Sequence, residues 1–312
     1  MVRVFTDTQD IGSPSAALAV STDRRFQKTL QNRVELHGPG LFHGIDAHVT
    51  LNPADAGYGI VFQRTDLADS PRIPALWSSV AHAPRRTVLA SAPNVRVETV
   101  EHLLSALAGL QIDNCHIEIT GPEVPAFDGS CQAFCEAVFD AGTCELSSPA
   151  AIYRPACVVA QHDESGRQSL LLRPYLRPLA AVTYHLDYGR RGQVPPQTYS
   201  IELTPESFYH EIAAARTFVL ESEIAALRSL GYGKHLKHRD LLVVGSGGVI
   251  GNQLRWADEF VRHKILDCVG DLALSGLEIQ GHLTAWRSGH QLNHRLAKAV
   301  QADSARAWSR AA

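Results

Sequence analysis

The chain has 312 residues, of which 45% are hydrophobic and 20% are charged, and its formal net charge is -3. These values are ordinary for a globular protein and leave room for about two domains. The small negative charge disfavours nucleic acid as the main partner, and no apolar run reaches the roughly 18 residues that would span a bilayer. Residues 1–26 contain early acidic side chains and no apolar block of the signal-peptide type. We therefore expect a flexible leader over 1–26 and a cytoplasmic protein without an integral membrane segment.

The predicted secondary structure places strands before helices in each half of the chain. In the first half, alternating apolar residues predict strands at 29–37, 48–52, 59–64, 87–90 and 115–120, and helical periodicity predicts helices at 100–110 and 133–141. In the second half, strands are expected at 158–160, 169–173 and 181–186, and helices at about 205–216, 221–230, 258–275 and 292–301. This order indicates an α+β fold, with domain I over 27–148, a linker near 146–151 and domain II over 152–312.

The predicted helix at 258–275 carries the most informative pattern. His263, Asp267 and Asp271 recur one turn apart, so they fall within a wedge of roughly 80° on one helix face. A histidine and an aspartate spaced in this way can share one metal ion. Gly270 lies beside the wedge and leaves room for another element to approach. The alternative is a polar helix face with a capped or paired histidine.

A second candidate pair, Glu101 and His102, begins the first predicted helix. Metal-dependent hydrolysis needs a ligand for the ion and a nearby carboxylate that takes a proton from bound water. The motif His-Glu-x-x-His is absent from the chain, which excludes an ordinary metalloprotease. His102, His263 and Asp267 would instead form a three-ligand site from two helices, with a fourth position open for water. The alternative is a helix-terminal glutamate, stabilised by the helix dipole, next to an incidental histidine.

A third candidate, His290, lies in the sequence SGHQLNH at 288–294. A protonated imidazole there could stabilise a developing oxyanion and protonate a leaving amine. Asp271 is placed to orient such a histidine and raise its pKa. A Gly-His pair before a helix is equally compatible with a structural or solvated histidine.

Five motifs occur in a fixed order between about residues 27 and 302: TVEHLLSALAGLQIDN, AFDGS, ARTF, RHKILDCVGDL and SGHQLN. Together they resemble the UDP-3-O-acyl-N-acetylglucosamine deacetylase family, the metal-dependent amidases of lipid A biosynthesis. The resemblance implies two similar domains, each a sheet packed on a helical layer, with the helices sandwiched between the two sheets. It also implies hydrolysis of the N-acetyl group of UDP-3-O-acyl-N-acetylglucosamine, which gives acetate and UDP-3-O-acyl-glucosamine.

The resemblance also implies a role for each matching residue. Glu101 is the expected general base, His290 the catalytic histidine, Asp271 its supporting carboxylate, and Thr217 the threonine beside the metal-bound oxygen. The expected metal ligands are His102, His263 and Asp267, and the expected substrate contacts are Lys264, Phe218, Asp187, Tyr188 and Arg287. Zinc is the expected metal, and the same set of ligands can also bind iron(II). The expected partner is an acylated UDP-amino-sugar, and we expect a monomer.

The chain departs from the family pattern in one segment. The family's second insert, a hydrophobic passage for the acyl chain, is expected within about residues 218–245. Where the family usually has a Gly-Gly-Ser stretch, bulky and basic side chains occupy 234–238 here, which should narrow or re-aim the backbone. Two alternatives therefore stay open: a metal amidase of the same fold that acts on a different acylated amino sugar, and a non-catalytic protein that has kept the fold but lost a chemical residue.

Overall fold

The computed structural model describes residues 2–4, 25–189, 193–238 and 240–311. Most of the expected leader therefore lies outside the described residues. Within these ranges the chain forms six α-helices, namely α1 (Glu101–Gly109), α2 (Gln132–Ala141), α3 (Pro205–Glu211), α4 (Glu221–Ser229), α5 (Glu259–Ala273) and α6 (His290–Ala311). Over the same ranges, every helix is too short or too polar to traverse a lipid bilayer.

Strands of the first half form one five-stranded sheet and two smaller ones. They are β2 (Phe26–Leu30), β3 (Val34–Pro39), β4 (Asp46–Asn52), β5 (Ile60–Arg64), β6 (Arg72–Pro74), β7 (Val80–Ala81), β8 (Val88–Ala92), β9 (Val95–Glu98), β10 (Cys115–Thr120) and β11 (Thr143–Pro149), whereas the first strand of the chain, β1 (Val2–Val4), belongs to the other large sheet. The larger sheet has the order β3-β4-β10-β5-β6, beside the smaller sheets β7-β8-β9 and β11-β2. The linker predicted near 146–151 is wrong for 146–149, because β11 continues to Pro149 in an antiparallel pair with β2.

Strands of the second half form a six-stranded sheet and two smaller ones. They are β12 (Ile152–Tyr153), β13 (Val158–His162), β14 (Ser169–Arg173), β15 (Ala180–Leu186), β16 (Gln197–Leu203), β17 (Phe218–Leu220), β18 (Leu242–Gly245), β19 (Gly248–Ile250), β20 (Glu278–Ile279) and β21 (His282–Trp286). The larger sheet has the order β1-β13-β14-β21-β15-β16, beside the smaller sheets β12-β20 and β17-β18-β19. Strand β1 pairs in parallel with β13, so residues 2–4 of the expected leader lie in this sheet.

Four helices, α1, α2, α5 and α6, lie between the two larger sheets. Helix α1 packs against α5, α5 packs against β15 and β16, α6 packs against β13 and β14, and α2 packs against β3. One continuous hydrophobic core joins these layers and includes side chains from both halves. The predicted α+β fold is therefore confirmed.

The close packing of α1 on α5 depends on a glycine. A Cβ atom at Gly270 would lie 2.0 Å from the carbonyl oxygen of Glu101, so only a residue without a side chain lets the two backbones approach this closely. The sequence predicted an approach at this position, and the approaching element is the first turn of α1. The helices that carry the candidate ligands are thereby held side by side.

Candidate active site

A cavity of about 520 Å³ opens where the start of α1 meets α5 and the start of α6. Its walls contain all the candidate site residues except Asp271, namely Glu101, His102, Asp187, Tyr188, Thr217, Phe218, His263, Lys264, Asp267, Arg287 and His290. Asp271 is fully buried behind His290. The structure thus brings together residues that the sequence keeps far apart.

The three candidate metal ligands converge on one point. One ligand atom each from His102, His263 and Asp267 lies within 4.8 Å of the other two. The Oδ1 atom of Asp267 is 3.4 Å from Nε2 of His263 and 3.9 Å from Nε2 of His102. All three side chains are buried, so this face of α5 is not exposed to solvent.

Neighbouring groups fix the orientation and charge of these ligands. The Nδ1 atom of His263 is 3.1 Å from the carbonyl oxygen of Ala215, which leaves Nε2 for the cavity. Burial alone would raise the pKa of Asp267, but the charge of Lys264 outweighs it and holds that pKa below its usual value. The ammonium of Lys264 donates to Oδ2 of Asp267 at 2.6 Å. Lys264 therefore contacts a candidate ligand as well as lining the cavity.

Glu101 has the environment of a general base. Its Oε2 atom accepts a hydrogen bond of 3.1 Å from the backbone N–H of Thr87. Burial raises the pKa of Glu101 to about 8, because a desolvated carboxylate is less stable than the neutral acid. A carboxylate with such a pKa binds a proton more readily than an exposed one near neutral pH.

His290 and Asp271 form a buried pair beside Glu101. The Nδ1 atom of His290 is 2.8 Å from Oδ2 of Asp271, and its Nε2 atom is 3.8 Å from Oε1 of Glu101. Burial alone would lower the pKa of His290, but the charge of Asp271 and their hydrogen bond raise it to about 9. The imidazole is therefore protonated near neutral pH, with one N–H bound to Asp271 and the other near Glu101.

The candidate substrate contacts form the outer wall of the cavity. The ring of Phe218 packs edge-on against Phe260, with centroids 4.9 Å apart, and lies 6.3 Å from the ring of His263. Asp187 forms an ion pair with Arg287. The half-exposed Tyr188 lies edge-on to Phe218. These side chains offer an aromatic wall and charged groups of both signs.

A second, apolar cavity of about 170 Å³ lies next to the first and shares Thr217 and Phe218 with it. Helix α4 and the segment before β18 form most of its wall, through Ile224, Leu227, Tyr232, Leu236 and Leu241. Three of the bulky residues that depart from the family pattern, Leu236, Lys237 and His238, line it. The expected insert ended at about residue 245, but the small sheet β17-β18-β19 continues through β19 to Ile250.

Several residues that support the site were not recognised from the sequence. The guanidinium and backbone N–H of Arg216 both donate to the carboxylate of Glu259, and this fixes the segment that leads into Thr217. Arg216 lies in the ARTF motif, and an arginine next to a site residue was the available signal. Asn293 and His294 bind Asp271 from the first turn of α6. Both lie in the SGHQLNH motif, where the spacing from His290 placed them on the same helix turn.

Comparison with known proteins agrees with the site. A family model described as "UDP-3-O-acyl N-acetylglycosamine deacetylase" matches residues 27–302. The chain belongs to this deacetylase family. It is 40% identical over 276 residues to the UDP-3-O-acyl-N-acetylglucosamine deacetylase of Citrifermentans bemidjiense, covering 87% of this chain and 87% of that protein.

Two further deacetylases of the family show the same extent of likeness. Identity to the UDP-3-O-acyl-N-acetylglucosamine deacetylase of Myxococcus xanthus is 37% over 278 residues, or 89% of this chain and 87% of the relative. Identity to the enzyme of the same name from Pseudomonas entomophila is 36% over 282 residues, or 89% of this chain and 91% of the relative. The likeness thus extends over both halves of the chain, and the resemblance seen in the motifs is confirmed.

Proposed function

We propose that this protein is a metal-dependent amidase that removes the N-acetyl group of UDP-3-O-acyl-N-acetylglucosamine in lipid A biosynthesis. The observation that carries the proposal is the convergence of His102, His263 and Asp267 on one point, with Glu101 and His290 on the same cavity. An acid, a base and a ligand set around one cavity are the groups that amide hydrolysis requires. Membership of the deacetylase family supports the choice of substrate.

The donor set fits a divalent cation. Two imidazoles and one carboxylate suit a catalytic zinc, and iron(II) is the alternative. Burial lowers the pKa of His102 to about 3 and also lowers the pKa of His263, and the pKa of Asp267 is lowered by the charge of Lys264. All three ligands are therefore in the deprotonated state that metal binding needs. When bound, the cation would lower the pKa of a water molecule and polarise the acetyl carbonyl.

The residues of the chain supply the proton transfers. We propose that Glu101, as the carboxylate, takes a proton from the attacking water, whose oxygen bonds to the acetyl carbon. Protonated His290 and the hydroxyl of Thr217 donate to the oxygen that gains negative charge. The C–N bond then breaks, its electron pair stays on the nitrogen, and this nitrogen takes a proton from His290 or from Glu101.

The outer wall would bind the two ends of the substrate. We propose that Asp187 and Tyr188 contact the uracil, that Lys264 and Arg287 face diphosphate or sugar oxygens, and that Phe218 packs against the sugar. The apolar cavity next to Thr217 would take the start of the acyl chain. Binding energy from both ends would hold the amide at the reacting groups.

The chain also supports a second candidate, an amidase for a different acylated amino sugar. The observation that favours this candidate is the lining of the apolar cavity, where Lys237 and His238 stand in place of the small residues of the family pattern. Turnover of acylated and non-acylated UDP-N-acetylglucosamine, measured side by side, separates the two. The non-catalytic alternative predicts loss of a chemical residue, whereas every residue assigned above is present.

The domain bounds 27–148 and 152–312, the cytoplasmic location and the monomer stay predictions.

The test combines metal analysis with an acetate-release assay on the acylated nucleotide sugar. Glu101→Ala should keep the metal and lose nearly all turnover, whereas His263→Ala should lose both. His48→Ala is a matched control, because His48 is exposed on β4 and lies outside the cavity walls, so it should behave like the unmodified protein. Full activity of Glu101→Ala would show that the assigned base is wrong, and a metal-free but active protein would contradict the whole proposal.

A further inference from the structure

Thr87 contacts both proton-transfer groups, although it lies on neither of their helices. It immediately precedes β8 and is fully buried. Its backbone N–H donates to Oε2 of Glu101 at 3.1 Å, and its hydroxyl donates to Oδ1 of Asp271 at 2.6 Å. One residue of the first half is thus bonded to the candidate base and to the carboxylate that supports His290.

The direction of these hydrogen bonds follows from the inventory of donors. A threonine hydroxyl has a single hydrogen, and an ionised carboxylate only accepts, so that hydrogen points to Asp271. The Nε2 atom of His294 lies 2.9 Å from the hydroxyl oxygen and 3.3 Å from Oδ1 of Asp271. It must therefore act as the donor to Thr87. The Thr87 hydroxyl thus donates one hydrogen bond and accepts another, which fixes the rotation of its O–H bond.

Asp271 is held by donors on both of its oxygens. Thr87 donates to Oδ1, and Nε2 of His294 lies 3.3 Å from the same oxygen, while Nδ1 of His290 and the amide of Asn293 each lie 2.8 Å from Oδ2. With Oδ1 held in this way, Oδ2 is aimed at His290. The Nε2 atom of His290 then faces the cavity, where it lies 3.8 Å from Oε1 of Glu101.

We infer that Thr87 is a positioning residue that holds the base and the acid of the reaction in their mutual geometry. The inference rests on the proposed function, because it assigns Thr87 a role through Glu101 and His290. Thr87 is hydrogen-bonded through its backbone to Glu101 and through its hydroxyl to Asp271. It lies just before β8 and therefore belongs to neither of the helices that carry these two carboxylates.

The hydroxyl can be removed almost without a change of shape. Thr87→Val replaces it by a methyl group, keeps the backbone N–H to Glu101 and leaves Oδ1 of Asp271 without its closest donor. Turnover (kcat) should fall about 10- to 100-fold, as for other residues that orient catalytic groups, while KM and metal content stay unchanged. Thr87→Ser keeps the hydroxyl and should restore most of the turnover. If the valine variant does not fold, Thr87→Ala takes its place with the same expected loss.

Thr29→Val is the matched control, because Thr29 is a buried threonine of the first half whose hydroxyl bonds only to backbone groups, the oxygen of Asn114 and the N–H of Ala54. It should lower the melting temperature but leave kcat unchanged. The inference is overturned if the valine variant keeps the parent kcat, if the serine variant is equally impaired, or if the loss of turnover follows a loss of metal. Failure of the proposed function looks different, since the unmodified protein would then release no acetate.

Discussion

Gly270→Ala should separate the two helices that carry the candidate metal ligands. The new Cβ atom would start 2.0 Å from the carbonyl oxygen of Glu101 and 2.9 Å from its carbonyl carbon. Ordinary contact begins near 3.4 Å, so α1 and α5 must move apart by about 1.4 Å at this point. His102 follows Glu101 on α1 and must move with it, away from His263 and Asp267 on α5. Metal–ligand distances tolerate only about 0.2 Å, so the affinity for the ion should fall sharply.

Two opposite effects act on the stability of this variant. Alanine is intrinsically better than glycine inside a helix by about 1 kcal/mol, but overpacking at a backbone contact costs about 1–3 kcal/mol. The overpacking should win, with a net loss of up to about 2 kcal/mol, or a few degrees in melting temperature. Turnover should fall more steeply, by about 100-fold, because a displacement near 1 Å misaligns the reacting groups.

The assay measures bound metal, acetate release and thermal melting of the same preparation. Gly247→Ala is the matched control, because a Cβ at Gly247 meets no atom within 4 Å, and it should leave all three quantities unchanged. If Gly270→Ala keeps the metal content and the turnover of the unmodified protein, the helix contact does not set the ligand geometry and the reasoning is refuted.

Four further predictions concern charged groups in and around the site. Turnover should rise with pH as Glu101 ionises. Its pKa is about 8 without the metal, and a bound cation lowers it, so this rise should be centred at or below pH 8. Turnover should fall again near pH 9, as His290 loses its proton. Asp271→Asn removes the main charge that raises the pKa of His290, so the alkaline limb of the kcat–pH profile should move to lower pH; an unmoved limb would contradict this. Removal of the metal with a chelator should lower the melting temperature, since an ion that binds only the folded state at 100-fold over its Kd adds about 2.7 kcal/mol, and a melt that chelation leaves unchanged would count against the site. Glu259→Ala leaves Arg216 as an unpaired buried cation, so denaturant unfolding should show a loss of about 3–5 kcal/mol; a wild-type unfolding curve would show that the pair contributes nothing.

The sequence predicts best those elements whose pattern is local. Helix α5 was expected at 258–275 and spans Glu259–Ala273, because its apolar stripe and its His/Asp wedge both have the helical period. The strand predicted at 169–173 is confirmed without a shift. The run predicted at 29–37 is instead two strands, Phe26–Leu30 and Val34–Pro39. Residues 31–33 between them are exposed polar side chains, a break that alternation alone did not mark.

Features that depend on distant contacts were not accessible to the same reasoning. Strand β21 lies in the middle of the six-stranded sheet, between β14 and β15, yet its five residues include a buried Thr284 that weakens the apolar pattern. The hydrogen bond between Thr87 and Asp271 spans 184 positions of the chain. No local sequence pattern around a single threonine predicts this hydrogen bond, whereas the one-turn spacing of His263, Asp267 and Asp271 predicted the ligand helix α5.

The ligands are divided between the two halves of the chain, one on α1 and two on α5. A cut between β11 and β12 would therefore yield fragments that hold at most two of the three donors each. Ion capture by such fragments would become a bimolecular event, and activity would depend on their concentration. Assembly of the catalytic centre and completion of the tertiary fold are, in this architecture, the same event.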